Sequence, residues 1–301
     1  MPQSFMEIKL DLAKTPFNLD YTLSCGQAFR WEKLNGWWRG VLGETVVKIR
    51  QNGEVLRFQS YPNRVDSAFF WNYFRLDDDL LHIYSRIRKD RYVNEAVKRF
   101  HGLRLMRQDP WECLISYICA TNKNIPAIQN MISNLCIRFG KKISAENETF
   151  YTFPKPHDLA EASLKELKLC KLGFRAERVK AAAKLVSNGV FNLTGLKTLP
   201  YETAKKELIT LLGVGPKVAD CVLLFSLDKL EAFPIDVWMK RIILEFYKEH
   251  FEASFVDKVA AKKSLSPNQY EVISSFGRKY FGEYVGYAQE YLFHFKRCQC
   301  Q

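Results

Sequence analysis

Nowhere in the sequence do eighteen uncharged apolar residues run together, and its opening, MPQSFMEIKLDL, has neither a basic leader nor an apolar stretch. A membrane-spanning helix and a secretory signal are therefore not expected. The chain is read as soluble and intracellular, in the cytoplasm or nucleoid of a prokaryote or the nucleus of a eukaryote. Low-complexity tracts are missing too, so no long disordered segment is expected. The cysteines stand apart, at 25, 113, 119, 136, 170, 221, 298 and 300, mostly among apolar neighbours. They lack the closely spaced quartet of an iron–sulfur cluster, and Cys298 with Cys300 lacks the further Cys or His cluster of a structural zinc site. Buried reduced thiols are expected, with no disulfide framework, metal or other cofactor.

Acidic side chains are in short supply. Thirty-three Asp and Glu against forty-five Lys and Arg leave a net charge of +12. That excess favours a polyanionic partner, although a basic protein without one has the same composition. Hydrophobic and charged fractions of 47% and 26% are ordinary for a folded protein, and 301 residues suffice for two domains. The expected division is α+β: an N-terminal antiparallel twisted β-sheet domain with helices over 1–107, then a mostly α-helical domain over 108–301 with a helical subdomain at 128–205.

Residues 17–58 alternate Val, Ile, Phe and Trp with turn residues, and the Asn35-Gly36 and Asn52-Gly53 pairs suit two-residue hairpins. All of this stretch is expected in an antiparallel sheet. Residues 66–100 carry helical spacing, with Phe69, Phe70, Tyr73 and Phe74 as core. Asp109 then caps a helix that has Pro110 at its first position, and Thr121-Asn122-Lys123-Asn124 breaks it before Pro126 restarts one. Gly173 ends a later helix, and Phe174, Arg175, Arg178 and Lys180 open the next.

The stretch LLGVGPKVADCVLLFSLDKLEAFPIDVWMK, residues 211–240, carries the chemistry. Gly213 and Gly215 allow a tight turn and close approach of another molecule, and Pro216 starts a helix. Lys217, Cys221 and Phe225 share one face of that helix, four residues apart. Asp236, after Pro234, caps the next helix. A solvated lysine and a plain cap are the competing readings, and each holds its ground when taken alone. Gln289 and Phe293 are also four apart on a late helix: one offers a planar hydrogen-bonding edge, the other a stacking ring.

The glycine turn followed by lysine and, after a proline, aspartate resembles the helix-hairpin-helix DNA glycosylases in their lysine-bearing branch. CGQAFRW at 25–31, the Asn122 turn and GEYVGYAQEYLF extend the resemblance over nearly the whole chain, in the order found in 8-oxoguanine DNA glycosylase/AP lyases. The resemblance implies a monomer that acts on double-stranded DNA in base excision repair. It would extrude 8-oxoguanine, and ring-opened formamidopyrimidine purines, and break the glycosidic bond. Lys217 would be the nucleophile and Schiff-base former, with Asp236 stabilising the positive sugar. The base would lie between Cys221 and Phe293, with Gln289 on its Watson–Crick edge and the Gly26 carbonyl accepting the N–H that oxidation adds. Gly213, Gly215 and Val218 would meet a DNA phosphate, Asn122 would fill the gap, and Phe174-Arg175 would face the orphaned base. Two positions depart from the animal members: Trp238 replaces a histidine, and Ala127 replaces an arginine that reads the opposite cytosine. Relaxed opposite-base preference is expected. A monofunctional glycosylase for alkylated bases would need the aspartate but not the lysine, and a non-catalytic DNA-binding module would need only hairpin and charge.

Overall fold

The computed structural model describes residues 5–299. Strands β1 (Met6–Lys9), β2 (Trp31–Leu34), β3 (Trp37–Leu42), β4 (Thr45–Asn52) and β5 (Val55–Tyr61) form one antiparallel sheet in the order β1-β5-β4-β3-β2. Asn35 and Gly36, both at positive φ, turn β2 into β3 as expected for a two-residue hairpin. Alternation gives the sheet one apolar face, and Ile8, Trp38, Val47, Ile49, Leu56 and Phe58 bury it against Phe70 and Phe74.

The sheet does not begin at Phe17. Leu19–Ser24 is a helix, with Asn18 Oδ1 accepting from the Tyr21 amide at 2.9 Å. Tyr and Thr gave the segment a strand-like composition, yet Leu19, Thr22 and Leu23 lie on one helical face and are buried, so tertiary packing overrides local preference. The following Cys25–Phe29 forms a loop that leaves the sheet and enters the second core.

That second core is helical. The Leu80–Ile87 and Arg91–Arg99 helices join it, together with Pro110–Cys119, Ile125–Phe139, Pro216–Ser226, Val237–Phe246 and Val285–Gln299. Every residue of the Pro216–Ser226 helix from Val218 onward is buried, so this helix runs through the centre of the molecule. The region 128–205 is not wholly helical: β6 (Lys142–Ala145) and β7 (Glu148–Tyr151) form a hairpin. Its strands are too short for an alternation signal, and its turn uses Glu146 and Asn147 at positive φ without glycine. Arg39 and Lys48 pair with Glu148 at 2.6 Å and Glu146 at 2.9 Å, tying the hairpin to the sheet.

The two halves also meet behind the central helix. Asp228 pairs with Arg75, with Arg107 at 3.0 Å and with Lys197 at 2.6 Å, while the Gln108 amide donates to the Phe225 carbonyl at 2.8 Å. Burial would raise the Asp228 carboxyl, but these three cations hold it below the usual aspartate value. The C-terminal end of the helix that starts at Pro216 is thereby fixed. No helix among the described residues is long and apolar enough to cross a membrane.

Candidate active site

Gly213 has φ +83°, and the Arg178 side chain lies where its Cβ would be, so this turn admits only glycine without displacement. Gly215 is exposed, caps the Pro216–Ser226 helix with extended backbone, and has open space around it. No side chain caps this N-terminus. Its first-turn amides, next to buried Val218, are left without a side-chain acceptor among the described residues, an arrangement that suits an anion.

Lys217 sits half-buried one turn before Cys221, with its Nζ 4.8 Å from the Tyr117 ring centroid. Asp236 is the N-cap of the Val237–Phe246 helix, and its Oδ1 accepts from the Trp238 and Met239 amides, both at 2.9 Å. Capping and a catalytic role are thus compatible, because both cap bonds end on one oxygen. Burial raises the Asp236 carboxyl above the ordinary aspartate range, while Lys217 and the cap amides pull it partly back. The same ammonium acts on Cys221, whose thiol burial pushes up to about 12. Burial thereby favours the thiol over the thiolate at Cys221. Lysine, thiol and carboxylate occupy one site across the helical return, as their spacing predicts.

The Val285–Gln299 helix packs on the Val237–Phe246 helix that Asp236 caps and carries two further predicted site residues. Gln289 is buried with its Oε1 unpartnered, and Phe293 is half-buried one turn later. Gly26 stands opposite at φ +103°. A Cβ there would lie 2.5 Å from Arg297 Nη1 and 3.1 Å from Ile125 Cδ1, so the glycine is required both by conformation and by space.

Asn122, at φ +54°, and its neighbours Lys123 and Asn124 are exposed on the turn between two helices. Arg175 is buried at 3% exposure, and its guanidinium donates to the Thr121 carbonyl and, at 3.4 Å, to the Leu172 carbonyl. It braces the turn that presents Asn122. Phe174 is exposed, and both Arg175 and Arg178 stack on it, with centroid distances of 4.3 and 4.7 Å. Ala127 lies in the first turn of the Ile125–Phe139 helix, its amide bonded to Asn124 Oδ1 at 3.1 Å. Trp238 carries Arg241 over its ring at 5.0 Å. Cys300 lies outside the described residues, and among the described residues no group of three or more His, Cys, Asp and Glu is placed to hold a metal ion.

Three supporting residues are not singled out by sequence reasoning. Gln27 is buried; its Nε2 donates to the Arg104 carbonyl at 2.8 Å, and its Oε1 accepts from the Met106 amide at 2.7 Å. Its backbone carbonyl accepts from Gln108 Nε2 at 2.7 Å and the Tyr117 hydroxyl at 3.1 Å, so the peptide beside Gly26 is fixed from several sides. Tyr117 thus connects the Gly26 loop to Lys217. Asp220 accepts from Tyr201 at 2.7 Å, Tyr270 at 2.6 Å and Lys205 at 3.3 Å, and Tyr270 in turn accepts from the Ile235 amide at 3.2 Å. That network sets the residue before Asp236. A lone acid in the apolar run VADCVLLF is the one signal that pointed to it.

Known proteins resemble this chain over nearly its whole length. Residues 9–114 match the family model for the 8-oxoguanine DNA glycosylase N-terminal domain, and 115–253 match that of the HhH-GPD superfamily of base excision DNA repair proteins. The N-glycosylase/DNA lyase of Saccharomyces cerevisiae is 31% identical, covering 95% of this chain and 85% of that protein. The N-glycosylase/DNA lyase OGG1 of Arabidopsis thaliana is likewise 31% identical, over 94% of this chain and 78% of its own. Clostridium acetobutylicum 8-oxoguanine glycosylase/lyase, solved with double-stranded DNA containing cytosine opposite 8-oxoguanine, superposes with a TM-score of 0.85. It is 32% identical and covers 100% of this chain and 99% of its own. The 3-methyladenine DNA-glycosylase of Archaeoglobus fulgidus, at 21% identity and a TM-score of 0.73 over 97% of this chain and 98% of its own, shares the fold.

Proposed function

The chain belongs to the 8-oxoguanine DNA N-glycosylase/DNA lyase family, and from that premise we propose that it excises 8-oxoguanine from duplex DNA with Lys217 as nucleophile. The observation that carries this reading is the meeting of Lys217 with the buried carboxylate Asp236 beside Cys221, with Asp236 also acting by charge on Glu290 of the helix that bears Gln289 and Phe293. A monofunctional enzyme has no use for the amine.

The target base is unreachable within the helical stack, so extrusion comes first. Exposed Asn122 fills the space left behind, while the amides at Gly213, Gly215 and Val218 hold a phosphate without reading sequence. The base enters between the Cys221 thiol and the Phe293 ring, with Gln289 on its Watson–Crick edge. The Gly26 carbonyl accepts the N7–H that oxidation creates. The glycosidic C1′–N9 bond breaks, and its electron pair and a proton leave with the base. The neutral Lys217 amine forms the new bond to C1′, and the proton it sheds on doing so is the one that leaves with the base. Asp236 as carboxylate, whose Oδ1 keeps the two cap amides throughout, stabilises the positive sugar of the transition state. Ring opening gives an iminium ion between Lys217 and the sugar. Loss of a C2′ proton then expels the 3′ phosphate, which nicks the strand. Formamidopyrimidine purines keep the same hydrogen-bonding edge and belong to the same substrate class.

Borohydride reduction tests the central step. With 8-oxoguanine duplex the wild-type protein is expected to become covalently joined to DNA, whereas Lys217→Gln is expected to give no adduct. An untrapped wild type, or undiminished nicking by the variant, would overturn the assignment.

A further inference from the structure

Several buried polar atoms on the Val285–Gln299 helix lack partners among the described residues: Gln289 Oε1, Glu290 Oε1, and both Nε and Nη1 of Arg297. Arg297 is two turns beyond Gln289 and one beyond Phe293, on the same face. Its guanidinium reaches across to the Gly26 loop. Nη2 donates to the Ser24 carbonyl, Nη1 lies 2.5 Å from the position of a Cβ on Gly26, and the Cζ is 5.5 Å from the Phe293 ring centroid. Glu290 acts on Arg297 by charge but takes no hydrogen bond from Nε or Nη1. Two buried N–H-bearing nitrogens are therefore left unused between a glycine loop and an aromatic ring. Leaving buried donors unmade is costly, and a ligand that brings an acceptor removes the cost.

Oxidation of guanine at C8 changes two adjacent atoms of the five-membered ring. N7 turns from acceptor to donor, and C8 gains a carbonyl oxygen. The matching protein surface is an acceptor beside a donor, and Arg297 Nη1 lies next to Gly26, whose carbonyl is the acceptor assigned above. Guanine itself offers a lone pair at N7 and a C–H at C8, so it fails at both atoms. We propose that Arg297 is a specificity-determining residue that donates to the C8 oxygen of the extruded base while Gly26 accepts its N7–H. This rests on the placement of the base between Cys221 and Phe293 given above. It also explains why Gly26 must lack a side chain, since any Cβ would occupy the guanidinium's place.

The test uses duplexes carrying uncleavable 2′-fluoro nucleotides of guanine, 8-oxoguanine and 8-thioguanine. The last keeps N7–H but presents sulfur, a weaker acceptor, at C8. Wild type is expected to bind 8-oxoguanine more tightly than 8-thioguanine. Arg297→Met, of similar length but without donors, is expected to lose about tenfold in affinity for 8-oxoguanine and much less for 8-thioguanine, collapsing the difference. Arg297→Lys, which retains one donor group, should keep part of it. Equal loss on all three duplexes would make Arg297 a structural brace, and tighter binding by Arg297→Met would make it a plug that leaves on base entry; either overturns the proposal. A wild type that binds 8-oxoguanine and 8-thioguanine alike overturns it without any variant. A wild type with no preference for 8-oxoguanine over guanine would instead remove the functional reading itself.

Discussion

Tyr117 lies beneath Lys217, with the Nζ 4.8 Å from the ring centroid, and at its far end donates its hydroxyl to the carbonyl of Gln27. One side chain therefore sets both the amine and the peptide next to Gly26. Tyr117→Phe keeps the ring and removes only the hydroxyl. It is expected to lower stability by about 1 kcal/mol, since Gln108 still serves the Gln27 carbonyl. Discrimination between 8-oxoguanine and guanine should fall more than turnover on 8-oxoguanine. Tyr117→Leu, without the ring, should lose turnover as well; single-turnover rates on the two duplexes measure both effects.

Asp236→Asn separates the two tasks of this residue. Asparagine caps a helix about as well as aspartate, so thermal stability should change little, whereas loss of the charge should reduce kcat by orders of magnitude at nearly constant affinity. Asp236→Ala should in addition lose about 1 kcal/mol of stability with the cap. Normal turnover by Asp236→Asn would leave the residue with its cap alone.

The pH dependence has two separate origins. Turnover requires the Asp236 carboxylate, and burial raises that group, so the acid limb of activity should lie above the ordinary aspartate pKa. Stability responds to Glu290, which burial pushes up to about 7. Its folded-state pKa exceeds the unfolded value, so the folded protein binds the extra proton. The contribution is complete below the unfolded carboxylate value and is lost as pH rises toward about 7, by at most about 1.4 kcal/mol per unit. Glu290→Gln should flatten this slope in denaturant unfolding measured from pH 4 to 8, about the span over which the group titrates.

Removing Asp220 should destabilise strongly. Asp220→Ala removes the buried carboxylate that Lys205, Tyr201 and Tyr270 share, leaving Lys205 only Tyr201 and the more distant Glu271, for an expected loss of about 3 kcal/mol. Because Tyr270 also holds the Ile235 amide, turnover should fall in the variant at temperatures where it remains folded. Thermal melts and rates on the same preparation check both.

Opposite-base preference is expected to be weak. Ala127 has no reach, and Arg175 directs its guanidinium into the Thr121 and Leu172 carbonyls. A bidentate arginine discriminates by about 1 to 3 kcal/mol, and that contribution is absent at position 127. Single-turnover cleavage of 8-oxoguanine opposite each of the four bases should give similar rates, and Ala127→Arg should restore a preference for cytosine. A strong cytosine preference in the wild type would assign the readout to another group.

Local rules in the sequence determined much of this site. Glycine spacing placed the hairpin, Pro216 started the central helix, the i, i+4 rule joined Lys217 to Cys221 and Gln289 to Phe293, and the Pro-Ile-Asp step gave the Asp236 cap. Each is a short-range property that survives in any fold. The helix at Leu19–Ser24 and the β6–β7 hairpin were decided instead by what they pack on, because six- and four-residue segments carry too little periodicity to choose for themselves. Arg175 and Arg297 make the same point for function. Sequence marks Arg175 as a basic residue at a helix start and gives Arg297 no distinction, but only the folded chain turns the first inward to brace the Asn122 turn and lays the second, with unused donors, against Gly26 from 271 positions away in the chain. Long-range burial sets which donors remain unpaired, and no local pattern encodes it.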